Sequence, residues 1–496
     1  MKKNKRAGKN AGMRVGIIKQ IKALGLPPQQ AAVTFGTFLV CAVTVLRRSI
    51  GAPAEFSGRL IVLILLYGII ICLCSRQISG RKLSDTEVYV LSALMLLYFV
   101  ICAFAAKLTF CDGFLPNAVM LPTALAVMLI SILIDTRLAM TMSLAIPFCV
   151  FVLRGIDVHA YLVAVSSAVA GALVIRGARR RMDLIVAGFI VALVNAAAVS
   201  ASLLVKHAPP HVWPPVLFWA LLNGAVSGAL VLGALPLLEN VLHMATTFRL
   251  IELLDTDAPV LRRLENAAPG TYSHSMEVAK LAEAACREIH ANALLARVGA
   301  YYHDIGKIDK PDYFVENQGI YNKHNELNPR LSATVIRSHV KLGLEKARAI
   351  SLPDEVIEII GCHHGNSLIA WFYNEAVKRE GEGNVNKEDF CYPGAPPRTR
   401  EAAVTMLADV TEAACRTLEK PSAARLEKFI ADLIDKKIEA NQLANSELTF
   451  QDVEIIKKTF VRVQVAHYHA RIEYPAQQNA PAPQAAHGAA PQGSLQ

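Results

Sequence analysis

The sequence predicts an all-α protein in two parts, a polytopic transmembrane helix bundle followed by a soluble all-helical domain. Three observations predict it. Eight charge-free apolar runs precede residue 240, the text turns amphipathic at Glu239, and no stretch from there to about Tyr474 alternates with period two. Composition agrees. Of the 496 residues 53% are hydrophobic and 19% charged, with a mean hydropathy of +0.35, where a soluble protein carries about 25% charged residues. These values exclude a disordered chain, a secreted disulfide scaffold and a plain soluble enzyme.

The apolar runs are 23–46, 60–75, 88–106, 114–134, 138–153, 158–175, 184–205 and 212–238. A spanning helix needs about 20 apolar residues, with a range of about 17–25, so 60–75 and 138–153 lie at the short limit. Asp135 and Arg137 split 114–134 from 138–153 and predict a tight turn at the surface. Pro27 and Pro28 shorten the first run to an uncleaved N-terminal anchor at 30–46. The predicted organisation is a basic N-terminus (1–29), this helix (30–46), a seven-helix core (59–238), linker helices (239–270), a soluble domain (271–474) and a disordered Pro/Ala/Gln-rich tail (475–496).

Charge orients the bundle. Eight Lys or Arg and no acid occupy residues 2–22. The gaps predicted to be cytoplasmic carry Arg76, Arg81 and Lys82, then Arg137, then Arg176, Arg179, Arg180 and Arg181. The external gaps carry Lys107, Arg154 and Lys206, with Arg47, Arg48 and Arg59 as exceptions to the positive-inside rule. The net charge of +10 therefore reads as anchorage to anionic membrane lipid and not as nucleic-acid binding. Ten cysteines include no CxxC, so no zinc ribbon or dithiol is indicated. The spans contain no Asp, Glu or Lys, which argues against a transporter.

In the soluble half, Pro259 opens one helix, Asn328-Pro329 supplies an N-cap and first-turn proline for another, and Pro353 starts a third. Glu401 to Leu418 forms a further helix, and residues 378–399 read as a long loop, a lid or an insertion. Seven of the 14 histidines fall between 274 and 364. His274 shares the apolar face of the helix containing Val278. His303-Asp304 ends the helix LLARVGAYYHDIG, with Gly306 as its expected C-terminal stop. His339 lies on the apolar stripe of its helix, His363-His364 ends VIEIIGCHHG, and Asp409 sits mid-helix among apolar neighbours. Buried imidazoles and carboxylates are costly without partners. Together they suit two divalent metals of the Fe, Mn or Zn type, with Asp304 able to bridge. Such a centre is net positive and attracts a phosphate. Lys307 is expected to place a point charge on that phosphate, and His324 to reach the mouth of the site. His290, His467 and His469 read as ordinary core or surface histidines.

The phrases HSMEVAKLAEAA, YYHDIGK, IRSHV, GCHHGNSL and MLADVTEAA, with TFRLIELLD and YFVENQ, make the chain resemble an HD-domain phosphohydrolase. It is most similar to the seven-transmembrane-receptor HD family of bacterial cyclic di-AMP phosphodiesterases, over roughly residues 59–470. The resemblance implies His274, His303, Asp304, His339, His363, His364 and Asp409 as ligands of two iron or manganese ions. His303, Asp304 and Lys307 are expected in catalysis, and Lys307 and His324 in substrate binding. The resemblance further implies hydrolysis of cyclic di-AMP to pApA, and a multi-pass protein of the bacterial inner membrane with the HD domain and both termini cytoplasmic. A homodimer is compatible with it. That family carries a large extracellular domain after the first helix. Here the gap is only Arg47 to Arg59, so a signal is expected through the membrane helices or a membrane or extracytoplasmic partner. Tyr392-Pro393-Gly394 lies about 28 residues past His364, too far for the HD-GYP pattern that accompanies cyclic di-GMP hydrolysis. Cyclic di-GMP or a nucleoside polyphosphate on the same metals, and a nucleotide receptor without turnover, stand as alternatives.

Overall fold

The computed structural model describes residues 28–46, parts of 52–64, and 83–105, 119–154, 158–419 and 421–469. The basic stretch 1–27, most of run 60–75, the loop cations Arg76, Arg81, Lys82 and Lys107, and the tail 475–496 lie outside the described residues. The described residues form helices and turns, with one isolated bridge between Leu368 and Cys391.

The first part comprises α1 (Pro28–Leu46), α2 (Asp85–Ala105), α3 (Thr123–Leu133), α4 (Thr136–Arg154), α5 (Val158–Ile175), α6 (Arg181–Val205) and α7 (Trp213–Leu242). Among the described residues, four helical segments are long and apolar enough to cross a membrane: Asp85–Cys102, Val158–Ile175, Arg181–Val205 and Pro210–Leu242. Phe189, Leu193, Leu204 and Leu230 on α6 and α7 are exposed, the surface a lipid-facing helix presents. Run 114–134 departs from expectation. Helix α3 has only 11 residues, and residues 119–122 ahead of it are not helical. Pro122 contributes no N–H, and the Leu121 carbonyl accepts a 3.1 Å hydrogen bond from Asn223 Nδ2 on α7. An apolar run cannot disclose such a break, because the compensating amide is 102 residues away.

Helices α6 and α7 approach through small residues. A Cβ on Gly224 would lie 2.2 Å from the Ala192 nitrogen, and one on Gly228 would lie 2.7 Å from Gly188 Cα. Gly224 and Gly228 are four apart and so share one face, the small-xxx-small spacing that lets membrane helices touch backbone to backbone.

The bundle joins the soluble part through hydrogen-bonded ends. Arg181, at the start of α6, pairs with Glu239 near the end of α7 (3.4 Å) and with Glu252 (2.6 Å) on the short helix α8 (Thr247–Glu252). Thr246 caps α8, accepting from Arg249 N at 3.1 Å, and its hydroxyl also donates to Glu239. His243 closes α7 with a left-handed backbone, and its carbonyl accepts from Asp354 N at 2.9 Å.

The soluble part continues with α9 (Pro259–Ala267), α10 (Pro269–Glu288), α11 (Ala293–Tyr302), α12 (Pro329–Ala349), α13 (Asp354–Cys362), α14 (Ala370–Glu380), α15 (Arg400–Cys415), α16 (Ala423–Glu439) and α17 (Phe450–His469). The expected caps are present: Pro259 and Pro329 occupy first-turn positions, and Asn328 Oδ1 accepts from Leu331 N at 2.8 Å. Leu261, Tyr302, Ile360, Leu407 and Phe460 are among the fully buried side chains of one core. Residues 378–399 are no free lid. Phe390 and Val385 pack with Phe372, Ala333 and Ala376 in a second small core. Two apolar side chains in a charged stretch were enough to fold it back, a signal that the surrounding charges mask.

Replacing Gly224 by Leu should force α6 and α7 apart and cost about 1–3 kcal/mol. Thermal unfolding in detergent should show a lowered midpoint, and an unchanged midpoint would contradict this packing.

Candidate metal centre

Five helices converge on one buried point. His274 comes from the middle of α10, His303 caps the C-terminus of α11, Asp304 follows it, His339 comes from α12, His363 and His364 follow α13, and Asp409 comes from α15. His274, His303, Asp304, His339, His363 and Asp409 are all buried, and His364 is partly exposed.

Three rings share one device. His303 Nδ1 donates to the Ala300 carbonyl (2.7 Å), His339 Nδ1 to Ile336 (2.6 Å) and His363 Nδ1 to Ile360 (2.8 Å). Each acceptor is the carbonyl three residues earlier, so the helix fixes both ring direction and tautomer. In the neutral ring, Nε2 is then a bare lone pair. The Nε2 atoms of His339 and His363 face each other at 3.2 Å, two acceptors with no proton between them. His303 Nε2 and Asp304 Oδ1 are buried without a hydrogen-bond partner. Buried acceptors aimed at one another cost free energy unless a cation lies among them.

The donor set splits in two. Ligand atoms of His339, His363 and His364 lie within 4.8 Å of one another, and so do those of His274, His303 and Asp304. Asp304 faces both groups: Oδ1 is 3.4 Å from His339 Nε2 and 3.7 Å from His363 Nε2, while Oδ2 is 3.2 Å from His303 Nε2. Asp409 does likewise, with Oδ1 3.0 Å from His274 Nε2 and Oδ2 3.5 Å from His364 Nδ1. Two three-residue groups joined by two carboxylates fit a pair of divalent ions.

Electrostatics sort the rings. Burial, reinforced by the neighbouring imidazoles, pushes His363 down to about 3 and lowers His339 and His364 as well. His274 goes the other way. Burial opposes its charge, but Asp409 and Glu412 override burial and raise it to about 10. Glu412 follows Asp409 by one helical turn and holds His274 Nδ1. Burial would raise both Asp304 and Asp409, yet His303 and Lys307 hold Asp304 well below the usual carboxylate range, and His274 and His364 do so for Asp409.

Lys307 lines the cavity beside the centre, with its ammonium engaged by Asp304 Oδ2 (2.7 Å) and Glu316 Oε1 (2.8 Å). Glu316 in turn accepts from Thr271 Oγ1 at 2.8 Å. His324 lies away from this set. Its Nε2 donates to the Tyr313 carbonyl (2.8 Å), and its ring packs on Tyr313 and Phe372. Gly306 is not the stop of α11, which ends at Tyr302; it lies in a short 3₁₀ turn, Ile305–Asp309. Its hydrogen is needed for space, since a Cβ there would lie 1.8 Å from the His339 carbonyl oxygen. That contact brings Asp304 against α12. The centre opens into a cavity of about 500 Å³ walled by Phe314, Ile336, Tyr392, Met406, Arg416 and Lys437, among others. Tyr392 stacks on His364 with ring centroids 4.2 Å apart. Sequence reasoning assigned no role to Glu316, Glu412, Tyr392, Arg416 or Lys437. Of these only Glu412 had a readable signal, its placement one turn from Asp409.

Fold and site together define a membrane protein that carries an HD-type helical domain. Comparison with known proteins places it further. Residues 54–246 match the family model described as 7TM receptor with intracellular HD hydrolase, and residues 271–414 match the HD domain model. The chain is 33% identical over 432 residues to the Bacillus subtilis cyclic-di-AMP phosphodiesterase PgpH, covering 84% of this chain and 60% of that protein. It is 35% identical over 368 residues to the PgpH of Listeria monocytogenes, covering 72% of this chain and 50% of that one. The chain thus spans half to three fifths of the length of these relatives. The crystal structure of the L. monocytogenes PgpH HD domain in complex with cyclic-di-AMP is 38% identical, with a TM-score of 0.42, over 43% of this chain and 100% of that one. The chain belongs to the family of 7TM receptors with an intracellular HD hydrolase.

In the metal-free protein the raised His274 contributes stability that is fully present below about pH 6.5 and lost as pH rises through about 10. A cation bound at Nε2 must displace that proton. Loading manganese at pH 7.5 should therefore release about one proton per chain, read by calorimetry in buffers of different ionisation enthalpy. A heat independent of the buffer would contradict the assignment.

Proposed function

We propose that this protein is a metal-dependent phosphodiesterase that hydrolyses cyclic di-AMP to pApA. The single observation that carries the reading is the set of inward-facing acceptors, His303 Nε2, His339 Nε2, His363 Nε2 and Asp304 Oδ1, opening on a 500 Å³ cavity. His274, His303, His339, His363, His364, Asp304 and Asp409 would hold two ions, iron or manganese by the family resemblance. Those ions, when bound, supply Lewis-acid charge to a phosphodiester and lower the pKa of water. The relatives named as cyclic-di-AMP phosphodiesterases support the substrate.

The chain's own residues do the remaining work. Glu412 and the three helix carbonyls orient the imidazoles, so the donors need little reorganisation. Asp304 and Asp409 each offer an oxygen to either group and fix its distance from the other. Lys307 holds Asp304 on one side, and Glu316 holds Lys307. Phe314 and Tyr392 line the cavity with ring faces and edges on which a nucleobase can stack. In this reading the domain lies on the cytoplasmic face of the bacterial inner membrane, which the arginines at 176–181 beside the junction support. A homodimer and a membrane or extracytoplasmic signalling partner belong to the same reading.

The purified full chain in detergent, loaded with manganese, should convert cyclic di-AMP to pApA, and Asp304→Ala should lower kcat/KM by about 10³-fold or more. Full turnover in that variant would remove the enzymatic reading. Faster cleavage of cyclic di-GMP or a nucleoside polyphosphate would move the substrate while keeping the centre.

A further inference from the structure

Three cationic side chains line the cavity: Lys307, Arg416 and Lys437. Their circumstances differ. Lys307 is neutralised by two carboxylates, at 2.7 and 2.8 Å. Lys437, on α16, hydrogen-bonds only the neutral Ser367 hydroxyl, at 2.8 Å, and among the described residues no carboxylate lies within ion-pair distance of it. Burial lowers its pKa, with only the more distant Asp409 opposing. A half-buried ammonium without a counter-charge is unfavourable unless an anion arrives. Arg416, just past the end of α15, is exposed and has no carboxylate partner among the described residues. Elsewhere in the domain comparable cations are paired: Arg330 with Glu380 and Asp389, Lys346 with Asp309, and Arg400 with Asp452.

Lys437 is also built in. The segment that follows the histidine pair is tied to α16 and its end by two bonds, Lys437 Nζ to Ser367 Oγ and Gln442 Nε2 to Asn366 Oδ1 (2.6 Å). Gly365 permits this approach. Its φ is +53°, and a Cβ there would lie 2.2 Å from Gln442 Oε1. Helix α16 lies beyond the stretch 271–414 that matches the HD domain model.

A phosphodiester at the paired histidine groups uses the charge of that centre. A cyclic dinucleotide carries a second phosphodiester that needs its own partner. We propose that Lys437 and Arg416 bind this second, non-scissile phosphodiester and so select for substrates with two phosphodiester groups. The inference rests on the cyclic-dinucleotide reading and adds its specificity determinant. Lys437 supplies a point charge fixed by Ser367, and Arg416 closes from the rim with a planar fork suited to phosphate. Both are specificity residues and act through binding, so their loss appears in KM.

The test uses the full chain in detergent, loaded with manganese, and two substrates: cyclic di-AMP and bis(4-nitrophenyl) phosphate, which has one phosphodiester. Lys437→Met and Arg416→Met are each compared with wild type, with Lys437→Arg as the charge-conserving control and metal content as the check on the centre. Each Met variant should raise KM for cyclic di-AMP about tenfold or more. Selectivity for cyclic di-AMP over the single-phosphate ester should fall by a similar factor, and Lys437→Arg should recover most of it. Selectivity changed less than twofold in both Met variants, or a loss confined to kcat on both substrates, would overturn the proposal. Because Arg416 is exposed, its variant decides the matter if Lys437→Met fails to fold. Wild-type protein that cleaves the single-phosphate ester but no cyclic dinucleotide would overturn the reading beneath it. Wild-type cleavage of cyclic di-AMP with unaltered variants would overturn this inference alone.

Discussion

The structure depends on one constraint: several buried hydrogen-bond acceptors are forced to face each other. The Nδ1–H to carbonyl bonds of His303, His339 and His363 each lie within a single helix turn. They cost nothing in long-range order, yet they commit every ring to presenting a lone pair inward. With His339 and His363 Nε2 at 3.2 Å, this close packing is unfavourable unless positive charge lies between them. One ring, His274, is treated differently. It is held by carboxylates on both nitrogens, Glu412 on Nδ1 and Asp409 on Nε2. The centre therefore contains one ring, His274, held protonated on both nitrogens, and two, His339 and His363, whose Nε2 is bare, an asymmetry that makes metal loading sensitive to pH.

Two of the helices that carry the ligands touch the membrane junction, α13 at its start and α11 at its end. Helix α13 starts where Asp354 N meets the His243 carbonyl at the end of α7, and it ends at His363-His364. Helix α11 ends at Tyr302, whose hydroxyl donates to the Leu253 carbonyl just past α8, and His303 is the next residue. Helix α8 is tied in turn to the bundle by Arg181 and Thr246. Both connections are hydrogen-bonded, each is one helix long, and each reaches a different half of the donor set.

Much of this was legible in the sequence because the controlling signals are local. Proline and asparagine caps, apolar stripes and the adjacent His-Asp and His-His pairs all report on one helix at a time, and the structure has those helices. What stayed hidden depends on pairs distant in sequence. The break before α3 is compensated by Asn223, the space at Gly306 is defined by His339, and the ammonium of Lys307 is engaged by Glu316. Lys437 stands in a helix whose last turn is basic, and the approach of Ser367 marks it out. Residues 381–399 are the loop the sequence indicated, and high charge concealed only that Val385 and Phe390 anchor it.

The central claim is that these imidazoles, with Asp304 and Asp409, would hold two cations. X-ray absorption on the manganese-loaded full chain tests it most directly. The account predicts a first shell rich in imidazole nitrogen and a second metal scatterer about 3.5–4 Å away. An all-oxygen shell with no metal neighbour would contradict it.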